Sequence, residues 1–127
     1  MEVNNDNGTE KSCDETSCGI RDGLLIIGGK WKSMIMHVLG QHEVIRFNRL
    51  KAMIPQISQK MLTQQLRELE RDGLVTRKVY PEVPPRVEYS ITTLGLSIGH
   101  IYREINQWQQ KHRQEIEKCR EEYDASL

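Results

Sequence analysis

The stretch ISQKMLTQQLRELERDGLV, residues 57–75, arranges a group of hydrogen-bond donors on one side of a helix. At about 100° per residue from Leu62, the positions opposite the apolar side carry no acidic residue; Glu68, Glu70 and Asp72 fall on the flanks. Amide, hydroxyl and cationic donors suit base edges and phosphates, so the spacing predicts contact with nucleic acid. A merely solvated polar side is the alternative. The donor positions are Lys60, Thr63, Gln64, Arg67 and Arg71.

The same stretch contains the signals that position those donors. Ser58 is a preferred N-cap residue, and Gly73 stands where a left-handed residue would end the helix. Leu62, Leu66 and Leu69 recur at i, i+4 and i+7, which predicts one buried side. The helix is therefore expected to hold its donors away from the core.

The rest of the chain predicts a mainly α-helical protein with a small β-hairpin. Residues 1–17 are acidic and without periodicity, which indicates a disordered arm. Asn48 is positioned to cap a short helix that Pro55 ends. After Gly73 the side chains alternate with the two-residue period of a β-strand. The sequence PEVPP separates two such strand-like segments. The expected helices cover 20–27, 30–39 (ending at Gly40), 48–53, 58–73 and a long segment from Thr92 or Thr93, and the expected strands cover 44–47, 74–80 and 86–92.

Helix, turn, helix and then a basic hairpin is the order of a winged helix-turn-helix domain. In that fold the second helix enters the major groove with its N-terminal end, which adds Ser58 and Gln59 to the donors. The hairpin is the wing, and its cations are expected to meet phosphates or a narrow minor groove. The predicted DNA contacts are Asn48, Ser58, Gln59, Lys60, Thr63, Gln64, Arg67, Arg77, Lys78 and Arg86.

The final helix carries an apolar stripe that a small core cannot cover. Its members step by four and three and predict a partner helix, most economically from a second copy of the chain. The stripe consists of Leu94, Ile98, Ile101, Ile105 and Trp108. The expected organisation is a disordered arm over 1–17, a winged helix-turn-helix domain over 18–119 with its dimerisation helix at about 93–119, and a tail over 120–127.

Charge and motif content argue against several other classes. Formal net charge is +0, but residues 1–18 hold five acids and one base, whereas residues 44–92 hold nine bases and five acids. A polyanion partner is therefore not excluded. No glycine-rich phosphate loop, nucleophile elbow or paired-histidine zinc motif occurs, so no enzyme is expected. The histidines are scattered and Cys13 and Cys18 are widely spaced, so neither metal nor cofactor is expected. With no apolar span and no signal peptide, the expected location is the cytoplasm, away from the membrane.

The cysteines carry the other candidate chemistry. Cys13, Cys18 and Cys119 are an odd number, so no structural disulfide framework is expected in a reducing compartment. Cys18 precedes the first helix, where free N–H groups and Arg21 would favour a thiolate and hence a sensor of oxidants or electrophiles. Cys119 continues the stripe of the final helix and is a candidate resolving thiol for Cys18 of the other subunit, with Cys13 as competitor. Three incidental thiols are the alternative.

Three stretches resemble the HxlR-type transcriptional regulators, relatives of the MarR-like winged-helix repressors. They are IGGKW at 27–31, RFNRLKAMIPQISQKMLTQQLRELERDGLV at 46–75 and RKVYPEVPPRVEYSITTLG at 77–95. The resemblance implies a homodimer, joined through the first and final helices, that binds a pseudo-palindromic operator and most commonly represses nearby genes. It therefore adds Ile20 and Leu24 to the expected interface. It also implies a redox or electrophile switch at Cys18, although such proteins usually have proline next, where this chain has Gly19.

Two other functions remain open. A winged helix can dock a protein without contacting DNA, and a regulator of this kind can respond to a small-molecule inducer instead of an oxidant. Steep loss of affinity with added salt would favour DNA over protein docking.

Overall fold

A computed structural model describes residues 15–127 and shows the mainly helical winged fold that the sequence predicts. Residues 1–14, which include most of the predicted arm and Cys13, lie outside the described residues. The elements are α1 Glu15–Ile27, α2 Lys30–Gln41, β1 Ile45–Arg46, α3 Phe47–Met53, α4 Gln59–Arg71, β2 Val75–Tyr80, β3 Arg86–Ile91, α5 Thr93–Leu96 and α6 Gly99–Ala125.

Helix α4 begins and ends as its capping residues predict. The Ser58 hydroxyl accepts a hydrogen bond from the Met61 backbone N–H at 3.0 Å. Gly73 has φ 80°, a left-handed conformation that glycine adopts without steric cost. The leucines of the helix are buried in a core shared with α2, β2 and β3. Burial of one side leaves the opposite side of α4 to solvent.

The predicted hairpin is part of a three-stranded antiparallel sheet with the order β1-β3-β2. In β2 and β3, Val75 lies opposite Ile91 and Tyr80 lies opposite Arg86. The short strand β1 adds Ile45 opposite Tyr89 on the other edge of β3. Ile45 and Tyr89 are both buried, so this third strand joins the base of the wing to the helical core.

Several helix boundaries differ from the expectation. Helix α1 begins at Glu15, inside the predicted arm, because Glu, Thr and Ser at 15–17 are residue types favoured in a first helical turn. Helix α2 passes through Gly40 to Gln41, since the chain becomes extended only at His42. Asn48 is not a cap: α3 starts at Phe47, because pairing of Ile45–Arg46 in β1 leaves Arg46 as the N-cap residue.

The predicted long helix is divided into α5 and α6. The Thr92 hydroxyl caps α5 by accepting a hydrogen bond from the Gly95 N–H at 2.9 Å. The chain then passes through a tighter turn of 3₁₀ type, in which the N–H groups of Ser97, Ile98 and Ile101 donate to carbonyls three residues earlier. This tightening rotates the helix and turns Ile98 into the core, where it is 6% exposed. Helix α6 continues to Ala125, so most of the predicted tail is helical.

Candidate nucleic-acid interface and cysteine sites

The predicted DNA-contacting residues of α4 and its cap share one exposed side. Ser58, Gln59, Lys60, Gln64 and Arg67 are exposed, and Thr63 is half-buried beside them. Asn48, on α3, is also exposed. The turn between α3 and α4 contains Gln56 at φ 68°. This left-handed backbone conformation lies in the five-residue connection, 54–58, between α3 and α4.

Gln64 is held by a chain of polar contacts that sequence reasoning missed. Its Nε2 donates to Oε2 of Glu68 at 3.3 Å. The other carboxylate oxygen of Glu68, Oε1, lies 2.8 Å from the Nζ of Lys32 on α2. The hydrogen bond from Lys32 lowers the pKa of Glu68, and burial opposes that shift. Only the i, i+4 spacing of Gln64 and Glu68 was visible in the sequence as a signal.

The wing arginines are engaged with carboxylates, which changes the role expected of them. Nε of Arg77 lies 3.3 Å from Glu70 of α4. Arg86 lies 2.9 Å from Glu82 and 3.3 Å from Glu88. These pairs compete with a phosphate for the same guanidinium groups. The DNA contact expected of Arg86 stays a prediction, and the hairpin places two acids beside this arginine.

Two cationic side chains at the end of the wing lie over the aromatic ring of Tyr80. The Arg86 guanidinium stacks 3.8 Å from the centre of the Tyr80 ring, and the Lys78 ammonium lies 4.9 Å from it. Lys78 is exposed, and within residues 15–127 no carboxylate lies at ion-pair distance from it. The alternation of Lys78 with Tyr80 on one strand was the sequence signal for this cluster. Among the described residues, Lys78 thus differs from Arg77 and Arg86, which both pair with carboxylates.

The two described cysteines differ in state. Cys18 is half-buried, is disulfide-bonded, and lies within the first turn of α1 instead of ahead of the helix. The disulfide at Cys18 differs from the thiolate expected there. Cys119 is a free, exposed thiol on α6, so Cys18 and Cys119 are not joined within one chain.

Most residues of the predicted dimer interface form an exposed apolar surface. Ile98 is the exception, because the tightened turn before α6 buries it in the core of its own chain. The Tyr102 hydroxyl, whose pKa is raised by burial, donates to the Ile27 carbonyl at 2.8 Å and so holds α6 against the end of α1. Half or more of the side chain is exposed at Ile20, Leu24, Leu94, Ile105 and Trp108, and Ile101 is 38% exposed.

The described residues offer no sign of a metal or membrane site. Among them, no group of three histidine, cysteine or acidic side chains is arranged to hold a metal ion. None of the helices in residues 15–127 combines the length and apolar character needed to cross a membrane.

A helix-turn-helix formed by α3 and α4, followed by the β2 and β3 wing, defines the chain as a winged helix-turn-helix protein. The chain belongs to the HxlR-like helix-turn-helix family, which matches residues 26–117. It is a transcriptional regulator with a helix-turn-helix domain. The resemblance read from its sequence stretches is thereby confirmed.

Relatives and a solved structure agree with this assignment. The chain is 51% identical over 92 residues to the HTH-type transcriptional regulator YkvN of Bacillus subtilis, covering 72% of this chain and 77% of YkvN. It is 42% identical over 112 residues to the HTH-type regulator YdeP of the same organism, covering 87% of each. The reduced form of the redox regulator HypR superposes with a TM-score of 0.71 at 41% identity, covering 79% of this chain and 98% of HypR.

Proposed function

We propose that two copies of this chain bind a pseudo-palindromic DNA operator in the cytoplasm and repress transcription of the genes beside it. Helix α4 of each copy enters the major groove, and the wing contacts the adjacent backbone. The observation that carries this proposal is the exposed donor surface at the N-terminal end of α4, formed by Ser58, Gln59, Lys60 and Gln64, with no acidic residue in the first turn of the helix.

The two-fold arrangement follows from the exposed apolar surfaces of α1 and α6. An uncovered stripe of this kind is stabilised by burial against a second copy, and two-fold symmetry presents two identical α4 helices. Half-sites about one helical turn apart, roughly 34–36 Å, would then match the two helices.

Replacing Lys60 or Gln64 by alanine is expected to weaken operator binding by about 1–3 kcal/mol, the range for a lost base contact. Lys78→Ala is expected to weaken binding to operator and scrambled duplex alike, because a phosphate contact carries no sequence information. It should also reduce the slope of log affinity against log salt concentration by about 1. Fluorescence anisotropy titrations at several salt concentrations, on DNA from upstream of the chain's own gene, measure both effects.

The control for these variants is Arg71→Ala, which removes an exposed cation from the opposite end of α4. It should change operator affinity less than Lys60→Ala does. Operator affinities equal to the wild type in the Lys60, Gln64 and Lys78 variants would contradict the proposed interface. Binding that does not respond to salt would instead favour a protein-docking module.

We further propose that Cys18 switches DNA binding: in the reduced protein its thiolate reacts with an oxidant or electrophile, and the disulfide seen at Cys18 represents an oxidised state. Cys18 is disulfide-bonded on α1, the helix that also carries exposed apolar residues of the interface, so its chemistry can alter how two copies meet. The similarity to HypR, which is described as a redox regulator in oxidised and reduced forms, supports this proposal. Cys119 of the second copy is the proposed resolving thiol: after the reduced Cys18 thiolate adds to the oxidant, the Cys119 thiolate attacks the Cys18 sulfur and the reduced oxidant leaves, which forms a disulfide between the two copies.

Cys18→Ser is expected to abolish the response of operator binding to diamide while leaving binding by the reduced protein unchanged, because serine cannot form a disulfide. Anisotropy before and after diamide measures the response, and a non-reducing gel detects any covalent dimer. If Cys119 resolves Cys18, the Cys119→Ser variant loses the covalent dimer as well. An unchanged diamide response in Cys18→Ser would remove this residue from the mechanism.

A second candidate is a regulator that responds to a small molecule. An open groove of about 760 Å³ lies between α2, α5 and α6, with His37, Tyr102 and Arg103 among its lining residues. Its mixture of apolar wall and polar groups suits a small organic ligand. Operator binding that is tight, salt-sensitive and unchanged by diamide would favour a switch by a small molecule over a switch at Cys18.

A further inference from the structure

A buried lysine connects three helices of this protein. Lys32, on α2, is 5% exposed. Its Nζ lies 2.8 Å from Oε1 of Glu68 on α4 and donates to the backbone carbonyl of Leu25, in the last turn of α1, at 3.5 Å. The ammonium therefore faces both a carboxylate and the negative end of a helix dipole.

The position of this ammonium is restricted by the cost of burying charge. A buried cation is tolerated only where it is paired and hydrogen-bonded, and removal of a partner leaves an uncompensated charge. Glu68 and the Leu25 carbonyl are those partners, and they belong to different helices. A shift of α4 relative to α1 would separate Lys32 from one of them. The contact thus links α4 to α1 through Lys32.

The same contact continues to a donor of the proposed DNA interface. Lys32 holds one oxygen of Glu68, and the other oxygen accepts the hydrogen bond from Gln64 at 3.3 Å. A carboxylate held at one oxygen is restricted in rotation, so its second oxygen offers Gln64 a fixed acceptor. The Gln64 amide is oriented before any DNA arrives, which lowers the entropy lost on binding.

We infer that Lys32 is a positioning residue for DNA recognition: through Glu68 it orients Gln64, and through Leu25 it joins the recognition helix to α1. This inference rests on the proposed function, since it assigns Lys32 a role in reading the operator. It connects the cysteine-bearing helix to Gln64 through three successive polar contacts.

The test compares affinities for an operator duplex and for a scrambled duplex of equal length at one salt concentration. The variants are Lys32→Met, Glu68→Gln, Gln64→Ala and the double variant Lys32→Met with Gln64→Ala. Lys30→Met is the matched control, because Lys30 is an exposed lysine on the same helix. A loss of folded protein lowers both affinities equally, whereas a positioning role lowers only their ratio.

We expect Lys32→Met to lower the operator-to-scrambled affinity ratio on the order of tenfold, the effect of one lost base contact. Glu68→Gln, which preserves side-chain size, should also lower the ratio. It provides the test of the inference if Lys32→Met does not fold. In the Gln64→Ala background, Lys32→Met should lower the ratio no further. Lys30→Met should leave the ratio unchanged.

A wild-type ratio in Lys32→Met and Glu68→Gln would overturn the inference, as would equal losses on both duplexes. An additive loss in the double variant would overturn the step through Gln64. If the wild-type protein itself failed to distinguish the duplexes, the proposed function would fail and the inference with it. If the wild type, Lys32→Met and Glu68→Gln all distinguished the two duplexes equally well, the inference would be overturned and the proposed function would stand.

Discussion

Introducing a charge into the exposed apolar stripe of α6, as in Ile105→Glu or Trp108→Glu, is expected to separate the two subunits and to lower operator affinity by on the order of 10²–10⁴-fold. The side chains at these positions are 51% and 59% exposed in the single chain, so the substitutions cost it little. In a dimer they would bury an unpaired carboxylate. Losing the second subunit removes the simultaneous engagement of two half-sites, which is the source of the large factor.

The control for the dimer variants is Gln110→Glu, which adds the same charge at an exposed position of α6 almost opposite Trp108. Sedimentation equilibrium gives the mass of each variant, and anisotropy gives its operator affinity. We expect Gln110→Glu to remain dimeric with near-wild-type affinity. A Trp108→Glu protein that stays dimeric would show that the interface lies elsewhere.

Leu66→Ala is expected to lower the free energy of unfolding by about 2–5 kcal/mol, the range for leucine truncation in a closed core. Leu66 is 2% exposed and belongs to the cluster that joins α4 to α2 and the sheet. The lost methyl groups leave a cavity that neighbouring helices and strands cannot fill, because their own backbones are fixed by hydrogen bonds. The same substitution loosens the helix that carries the proposed base contacts.

Urea unfolding at one fixed protein concentration measures this effect, since the stability of a dimer depends on concentration. Arg67→Ala, at the adjacent exposed position, is the control and should change the free energy of unfolding by no more than about 0.5 kcal/mol. If the two variants were equally stable, α4 would not be anchored through its leucine side.

The sequence predicted α4 almost completely, because its determinants are local. The hydrogen bond between the Met61 N–H and the Ser58 hydroxyl spans three residues. Gly73 meets a backbone requirement at its own position, and the leucine spacing specifies one side of the helix without reference to other elements. The strands of the wing were predicted for the same reason, since the hairpin pairs neighbouring segments.

Contacts between distant segments could not be predicted in this way. Lys32 occurs in the sequence KWKS, where a lysine ordinarily points to solvent, and only folding brings Glu68 of α4 beside it. Strand β1 was recognised as a short extended stretch, but its partner β3 lies far along the chain, beyond α3, α4 and β2. Ile98 has the spacing of an interface residue and is buried by the tightened turn before α6.

Residue spacing by itself determined the class of fold, the donor side of α4 and the apolar stripe of the final helix, because periodicity and capping act within a few residues. Only the tertiary structure decided which of those side chains are available. It gave Arg77 and Arg86 carboxylate neighbours, left Lys78 open and connected Gln64 to Lys32. Charge pairing and burial depend on groups that lie far apart along the chain and meet only when it folds.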